Sequence, residues 1–202
     1  MDVPSVKVFV KEAAKRIYGA TTAHQTNGNW ALCALPLDMS LDGEFANLVL
    51  PLNRNWYLVN LDELDQANLP SAAMLFEGAF SSKPAWFLEL LAPQEQAMAM
   101  ERLIDVFTPL DRALKDGWAP EPIEALSYRC LLIHDWRRIA LRLNRVPQDL
   151  LPGDWPERDC RTLVRSIYRG LFEHSEMWLS EEARARNGSL PERTDGIDQI
   201  FI

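Results

Sequence analysis

No stretch of this chain carries the roughly 18 consecutive apolar residues that a membrane-spanning helix needs, so no span is expected among its 202 residues. Cysteine is scarce. Cys33, Cys130 and Cys160 are odd in number, far apart and without C-x-x-C spacing, which fits neither a disulfide framework nor a paired-thiol zinc site; reduced thiols in a cytoplasmic protein are expected. The three histidines, His24, His134 and His174, have no H-x-x-x-H or H-E-x-x-H partner, so no metal is expected. Also missing are G-x-S-x-G, the P-loop and G-x-G-x-x-G. Without those nucleophile and phosphate-cradle signatures, neither an enzyme nor a cofactor is expected. Cys130 and Cys160 sit among apolar residues in helical stretches, where a structural thiol is the plainer reading than a nucleophile. The start, Met1-Asp2-Val3-Pro4, lacks the basic region and apolar run of a signal peptide.

Positive charge is in short supply as well. The formal net charge is −8 and the sequence pI is near 4.9. Residues 1–16 hold four bases and two acids, residues 17–128 five bases and fifteen acids, and residues 129–202 twelve of each. Duplex DNA is a polyanion that is bound through a basic surface. An acidic first half is poorly suited to that alone, although a local basic face remains open.

What is present belongs to a globular protein: 48% of residues are hydrophobic and 25% charged, enough to build a real core. Val6, Val10, Ala13, Ala14 and Ile17 fall at helical spacing, which predicts a helix over Ser5–Tyr18 stopped by Gly19. Lys7, Lys11 and Lys15 line another side of it, as a solvated face or a phosphate-touching stripe. Thr21–Asn29 reads as a polar loop. Trp30–Leu35, Trp56–Val59 and Met74–Phe76 read as strands rich in aromatics, with acidic helical turns over Leu61–Ala67 between the last two. From Pro84 onward the pattern is helical. A helix over Pro93–Lys115 should kink or break at Pro109 and stop at Gly117. Further helices are expected over Pro122–Leu143 and Glu157–Ala185, with a polar tail after them.

The stretch Tyr128–Leu141 is the most informative. At about 100° per residue, Ala125, Tyr128, Leu132, Trp136, Ile139 and Leu143 share one face, the expected core side. Arg129 lands inside that face. A guanidinium among apolar side chains is costly unless paired and hydrogen-bonded. Two readings stay open: a buried ion pair with a carboxylate from the preceding helix, or a clamp for an anionic ligand group, to which arginine is suited by its bidentate geometry. His134, Arg138, Arg142 and Arg145 gather on the opposite side, and Arg158, Arg161, Arg165 and Arg169 form a stripe on the last helix. Such stripes are ordinary solvated surface paired to acids such as Asp135, Glu157 and Glu173, or the two walls of a groove for a polyanionic ligand.

Arg129-Cys130-Leu131-Leu132-Ile133-His134-Asp135-Trp136-Arg137, followed by Val146-Pro147 and Leu150-Leu151-Pro152-Gly153-Asp154-Trp155-Pro156, resembles the C-terminal domain of PaaX-like transcriptional regulators. There an R-x-L-L-x-H-x-x-R helix leads to a P-x-x-L-L-P-x-x-W turn and then to a long helix with a Tyr, here Tyr168, and a late aromatic, here Trp178. The likeness covers about residues 95–185. Arg16-Ile17-Tyr18 and Gly28-Asn29-Trp30 more weakly resemble the family's join between its DNA-reading and central domains. The resemblance implies a repressor of phenylacetate catabolism that forms a homodimer and releases DNA when an aryl-acetyl coenzyme A thioester binds. Arg129, His134 and Arg137 fill the motif's positions, and with Arg138 from the basic side of the same helix they are the expected ligand-binding residues. DNA contact is expected only through a winged helix that is not evident in this chain. The fold expected is α+β: a connecting helix over 1–20, a small α+β (ferredoxin-like) domain over 24–84, an all-helical C-terminal domain over 85–189 and a tail over 190–202. A stand-alone ligand-binding or protein-interaction module, acting without DNA, is the competing reading.

Overall fold

A computed structural model describes residues 14, 17, 18, 30–41, 49–61, 69–78, 80–143, 146 and 148–187, the last of these without side chains at 148 and 180–187. Strands β1 (Trp30–Ala34), β2 (Val49–Asn53), β3 (Trp56–Asn60) and β4 (Met74–Glu77) are followed by helices α1 (Ala85–Leu91), α2 (Gln94–Lys115), α3 (Pro122–Ala140) and α4 (Glu157–Asn187), with a 3-10 turn at Gln148–Leu150. The fold is therefore α+β with a helical C-terminal part. The lysine stripe, the Thr21–Asn29 loop, residues 62–67 of the acidic turns, Arg145 and the tail lie outside the described residues.

The strands form one antiparallel sheet in the order β2-β3-β1-β4, the order of a β-α-β-β-α-β unit. Alternation along β1 and β3 sends side chains to two separate cores. Ala31, Cys33, Tyr57 and Val59 face one of them, together with Leu35 and Leu41. Leu58 faces the other, with Phe87 and Leu91 from α1 and with Val146, Leu150 and Leu151. Sequence reading missed β2, which carries Pro51. Proline cannot donate to a ladder, so it argues against a strand. Here β2 is an edge strand, and its register with β3 shifts between Pro51 and Asn53. Both are settings in which a strand tolerates proline.

The chain divides into two compact units that are interleaved in sequence. The first combines the sheet with α1 and with the stretch through Trp155 that holds the P-x-x-L-L-P-x-x-W turn; the second contains α2 from Glu95, α3 and α4. The sequence division after residue 84 put α1 and that turn with the helices instead. Their apolar residues Phe87, Leu91, Val146, Leu150 and Leu151 cover the face of the sheet that Leu58 presents.

Within the helical unit, α2 runs unbroken through Pro109, where sequence reading expects a kink or a break. Asp105 and Pro109 are both exposed, so water can satisfy the carbonyl that proline leaves without a donor. The helix ends at Gly117, whose φ of 89° is a conformation that favours glycine. Trp118 N–H donates to the Ala113 carbonyl and Gly117 N–H to that of Leu114, the paired closure of a helix C-terminus. α3 starts with Pro122 in its first turn and with Glu124 reaching back to accept from the Glu121 N–H at 3.3 Å. It buries Ala125, Leu132, Trp136 and Ile139, the expected face, except that Tyr128 sits at its margin, 36% exposed, edge-on to Trp118.

Cys160 is fully buried in α4, and burial, reinforced by Glu157 and opposed by Arg161, pushes its thiol up to about 12 from an ordinary value of 9.0. An unfolded chain releases this proton first, so stability falls as pH rises from about 9 towards 12, by at most about 1.4 kcal/mol per pH unit. Burial raises Cys33 in the same direction. Cys160→Ala should flatten the pH dependence of urea-unfolding stability between pH 9 and 11, and an unchanged slope would assign the alkaline loss to other groups.

Candidate functional site

Of the four sequence-predicted site residues, the structure turns one inward. Arg129 is half-buried on α3, whereas His134, Arg137 and Arg138 are exposed. Helical geometry accounts for this. Arg138 is nine residues on, half a turn away from Arg129 at 100° per residue, and His134 is about 140° away. The quartet therefore does not converge on one point.

Arg129 reaches α4, where a row of side chains at helical spacing receives it. Nη1 donates to Ser175 Oγ at 2.8 Å and to Glu176 Oε1 at 2.7 Å, and Nη2 donates to the Tyr168 hydroxyl at 2.7 Å. The Ser175 hydroxyl donates in turn to the Phe172 carbonyl at 2.8 Å. The guanidinium carbon lies 4.6 Å from the Tyr168 ring centroid and 4.9 Å from that of Phe172, within the range of a cation–π contact. An arginine in this setting keeps its charge because every polar neighbour favours it. Burial opposes the charge, but the hydrogen bonds and charges of Glu176 and Tyr168 outweigh it, and the pKa stands above its ordinary value. Burial also raises the Tyr168 hydroxyl, against the pull of Arg129.

The ion pair read as one alternative from the sequence is present, but its carboxylate comes from the following helix rather than the preceding one. Sequence reasoning missed Ser175 and Glu176. The signal was there: Tyr168, Phe172, Ser175 and Glu176 recur at i, i+4, i+7 and i+8, which sets them on one side of a helix, among apolar residues where an acid needs a partner. Among the described residues the bonds from Arg129 use both protons of Nη1 and one of Nη2. Arginine carries five N–H donors, so Nε and the second Nη2 proton form the edge that an incoming anion could address.

The arginine stripe of α4 is not uniform. Arg161 Nε donates to Glu157 Oε1 at 2.8 Å, and its guanidinium lies 4.9 Å over the Trp136 ring, with the side chain 13% exposed. Arg158 and Arg169 are exposed and Arg165 half-buried. Trp136 is fully buried, and its indole N–H donates to the Ile17 carbonyl at 2.8 Å. A further buried acid, Asp111, accepts from Ser166 at 2.6 Å and pairs with Lys115 at 2.6 Å. No cluster of three or more potential metal ligands occurs among the described residues, and no described helix is long and apolar enough to cross a membrane.

Residues 92–181 match the model of the PaaX-like protein C-terminal domain. Over 99 residues the chain is 34% identical to the Transcriptional repressor PaaX of Escherichia coli (strain K12), a stretch covering 48% of this chain and 31% of that protein. The chain thus matches about a third of that relative's length. Among solved structures it is similar to the uncharacterized protein Rv0674 from Mycobacterium tuberculosis, with 13% identity, a TM-score of 0.48, and coverage of 85% of this chain and 71% of that one.

The Arg129–Glu176 pair is partly buried, with side chains 14% and 23% exposed, so breaking it should cost less than the 3–5 kcal/mol of a fully buried pair. Arg129→Met is expected to lower unfolding stability by about 2–3 kcal/mol, because it strands Glu176. The double variant Arg129→Met/Glu176→Leu should be more stable than Arg129→Met alone. Additive losses in urea titrations would show that the two side chains are not coupled.

Proposed function

Because residues 92–181 match the model of the PaaX-like protein C-terminal domain, we propose that the protein is a transcriptional regulator, a repressor of that type, in which this chain supplies effector sensing and dimerisation. The observation that carries the proposal is that domain match, with Arg129, the first position of the family motif quoted above, held charged and oriented in an aromatic slot. The effector proposed is an aryl-acetyl coenzyme A thioester. Its phosphates or carbonyl would address the Nε edge of Arg129, and binding would compete with Glu176 for the guanidinium. Exchanging a helix-to-helix ion pair for a ligand contact alters the coupling between α3 and α4, which gives a sensor something to transmit. Dimerisation by a second copy has apolar surface available in the helical unit: Ile123 and Leu131, two turns apart on α3, are 47% and 58% exposed.

DNA contact is assigned to a winged helix that is not evident in this chain. The net charge of −8 favours that division of labour, since an acidic chain gains little from phosphate contact. The same charge is what favours the second reading, a stand-alone ligand-binding or protein-interaction module that acts without DNA. The two readings differ in whether a DNA-reading partner or segment couples to effector binding.

A fluorescence titration with phenylacetyl-coenzyme A, beside free coenzyme A and phenylacetate, tests the sensor. Trp136 lies on the same helix face two turns from Arg129 and serves as reporter. Saturable binding of the thioester is expected, weakened at least tenfold by Arg129→Lys in a protein that stays folded, since lysine keeps the charge but loses the fork. Absence of saturable change with all three compounds would remove the thioester as effector.

A further inference from the structure

The sheet unit holds a concave site that neither the arginine cluster nor the family likeness involves. It is an open cavity of about 580 Å³ on the face of the sheet that Leu32 and Leu52 floor, walled by Trp56, Phe80, Trp86 and Phe87. Its walls are fixed before anything binds. Trp56 stacks on Phe76 with centroids 5.8 Å apart, Phe80 leans on Phe87 at 5.1 Å, and Phe87 meets the edge of Trp86 at 5.6 Å. Aromatic pairs in these offset and edge-on arrangements hold one another in place. Yet Trp86 remains 64% exposed and Phe76 45% exposed, a large apolar investment left facing water on one side of a four-stranded sheet.

From these observations we propose that this cavity is a binding site for an uncharged, flat aromatic small molecule of about two or three rings. Size follows from volume, since small-molecule pockets run from about 300 to 1,000 Å³ and are lined mainly by apolar and aromatic groups. Neutrality follows from the lining. Among the described residues that line it, the polar ones are Asn53 and Ser82 and none is charged. Asn53 Oδ1 already accepts from the Arg54 N–H at 2.6 Å. Lys83, next in sequence to Ser82, donates instead to the Asp149 carbonyl at 2.7 Å. A ligand charge placed here would lose water and gain no counter-charge. Flatness follows from the walls, because indole and phenyl faces offer stacking area to a planar guest and little to a bulky one. The site belongs to the sheet unit, and its occupancy does not depend on Arg129 or on the regulator reading.

The test is a titration of the whole chain with N-phenyl-1-naphthylamine, an uncharged dye whose emission rises in an apolar site. One molecule bound per chain is expected. Trp86→Ala, a change at an exposed position whose folding is checked by urea unfolding, should weaken binding at least fivefold. Ser82→Phe, which fills the cavity from its rim, should abolish binding, and Arg129→Ala should leave it unchanged. Overturning results are no saturable rise, several molecules bound per chain, or equal binding by the parent, Trp86→Ala and Ser82→Phe. Concentration-dependent self-association that Trp86→Ala removes would likewise overturn it, by making this face a contact between copies.

Discussion

The helical unit rests on the burial of two side chains that each carry a polar group into the packing between α3 and α4. Arg129 and Trp136 are seven residues apart, two turns of one face. Arg129 meets Tyr168, Phe172, Ser175 and Glu176, and Trp136 lies under Arg161. As one position moves forward along α3 its partners move backward along α4, so the two helices are pinned antiparallel at two points. Apolar packing tolerates a slide of one turn more readily than a guanidinium that would lose three hydrogen bonds in a half-buried place. The ion pair thus contributes definition of register more than net stability.

Trp136 adds a third constraint. Its indole N–H is fully buried and needs an acceptor, and the Ile17 carbonyl supplies it at 2.8 Å. A residue far upstream is thereby tied into the helical unit through a backbone group that carries no side-chain identity. Arg161 and Glu157 close the same corner, one covering the indole and the other neutralising the cover. Asp111, held by Ser166 and Lys115, repeats the principle between α2 and α4: each buried charge arrives with a partner from a neighbouring turn or helix.

Much of this was legible in the residue pattern. Aromatic-rich runs marked β1, β3 and β4, the glycine at 117 marked the end of α2, and a helical wheel put Leu132, Trp136 and Ile139 inside. That wheel also singled out Arg129 as the charge that did not belong on its face. What it could not supply was the partner, because periodicity describes one element at a time and Glu176 lies on another. The same limit explains Arg161, read as one of four equivalent arginines and found beneath an indole. For β2 the reason differs: a proline such as Pro51 argues against a strand, and only the sheet order shows that it sits at an edge, where a missing donor is harmless. The two compact units take α1 and the P-x-x-L-L-P-x-x-W turn with the sheet, where the sequence division has them with the helices, for a third reason. Their composition is that of any apolar connector, and which core they fill is decided by the surface that Leu58 and its neighbours leave open.

That turn has a consequence for how the protein comes to be made. Leu58 on the sheet and Val146, Leu150 and Leu151 share one core, yet α2 and α3 lie between them in the chain. A nascent polypeptide leaving the ribosome must therefore extrude both long helices before the sheet can close its second face. Until then, Leu58, Phe87 and Leu91 lack the cover that Val146, Leu150 and Leu151 give them in the finished fold, and apolar surface left open during synthesis is prone to aggregation.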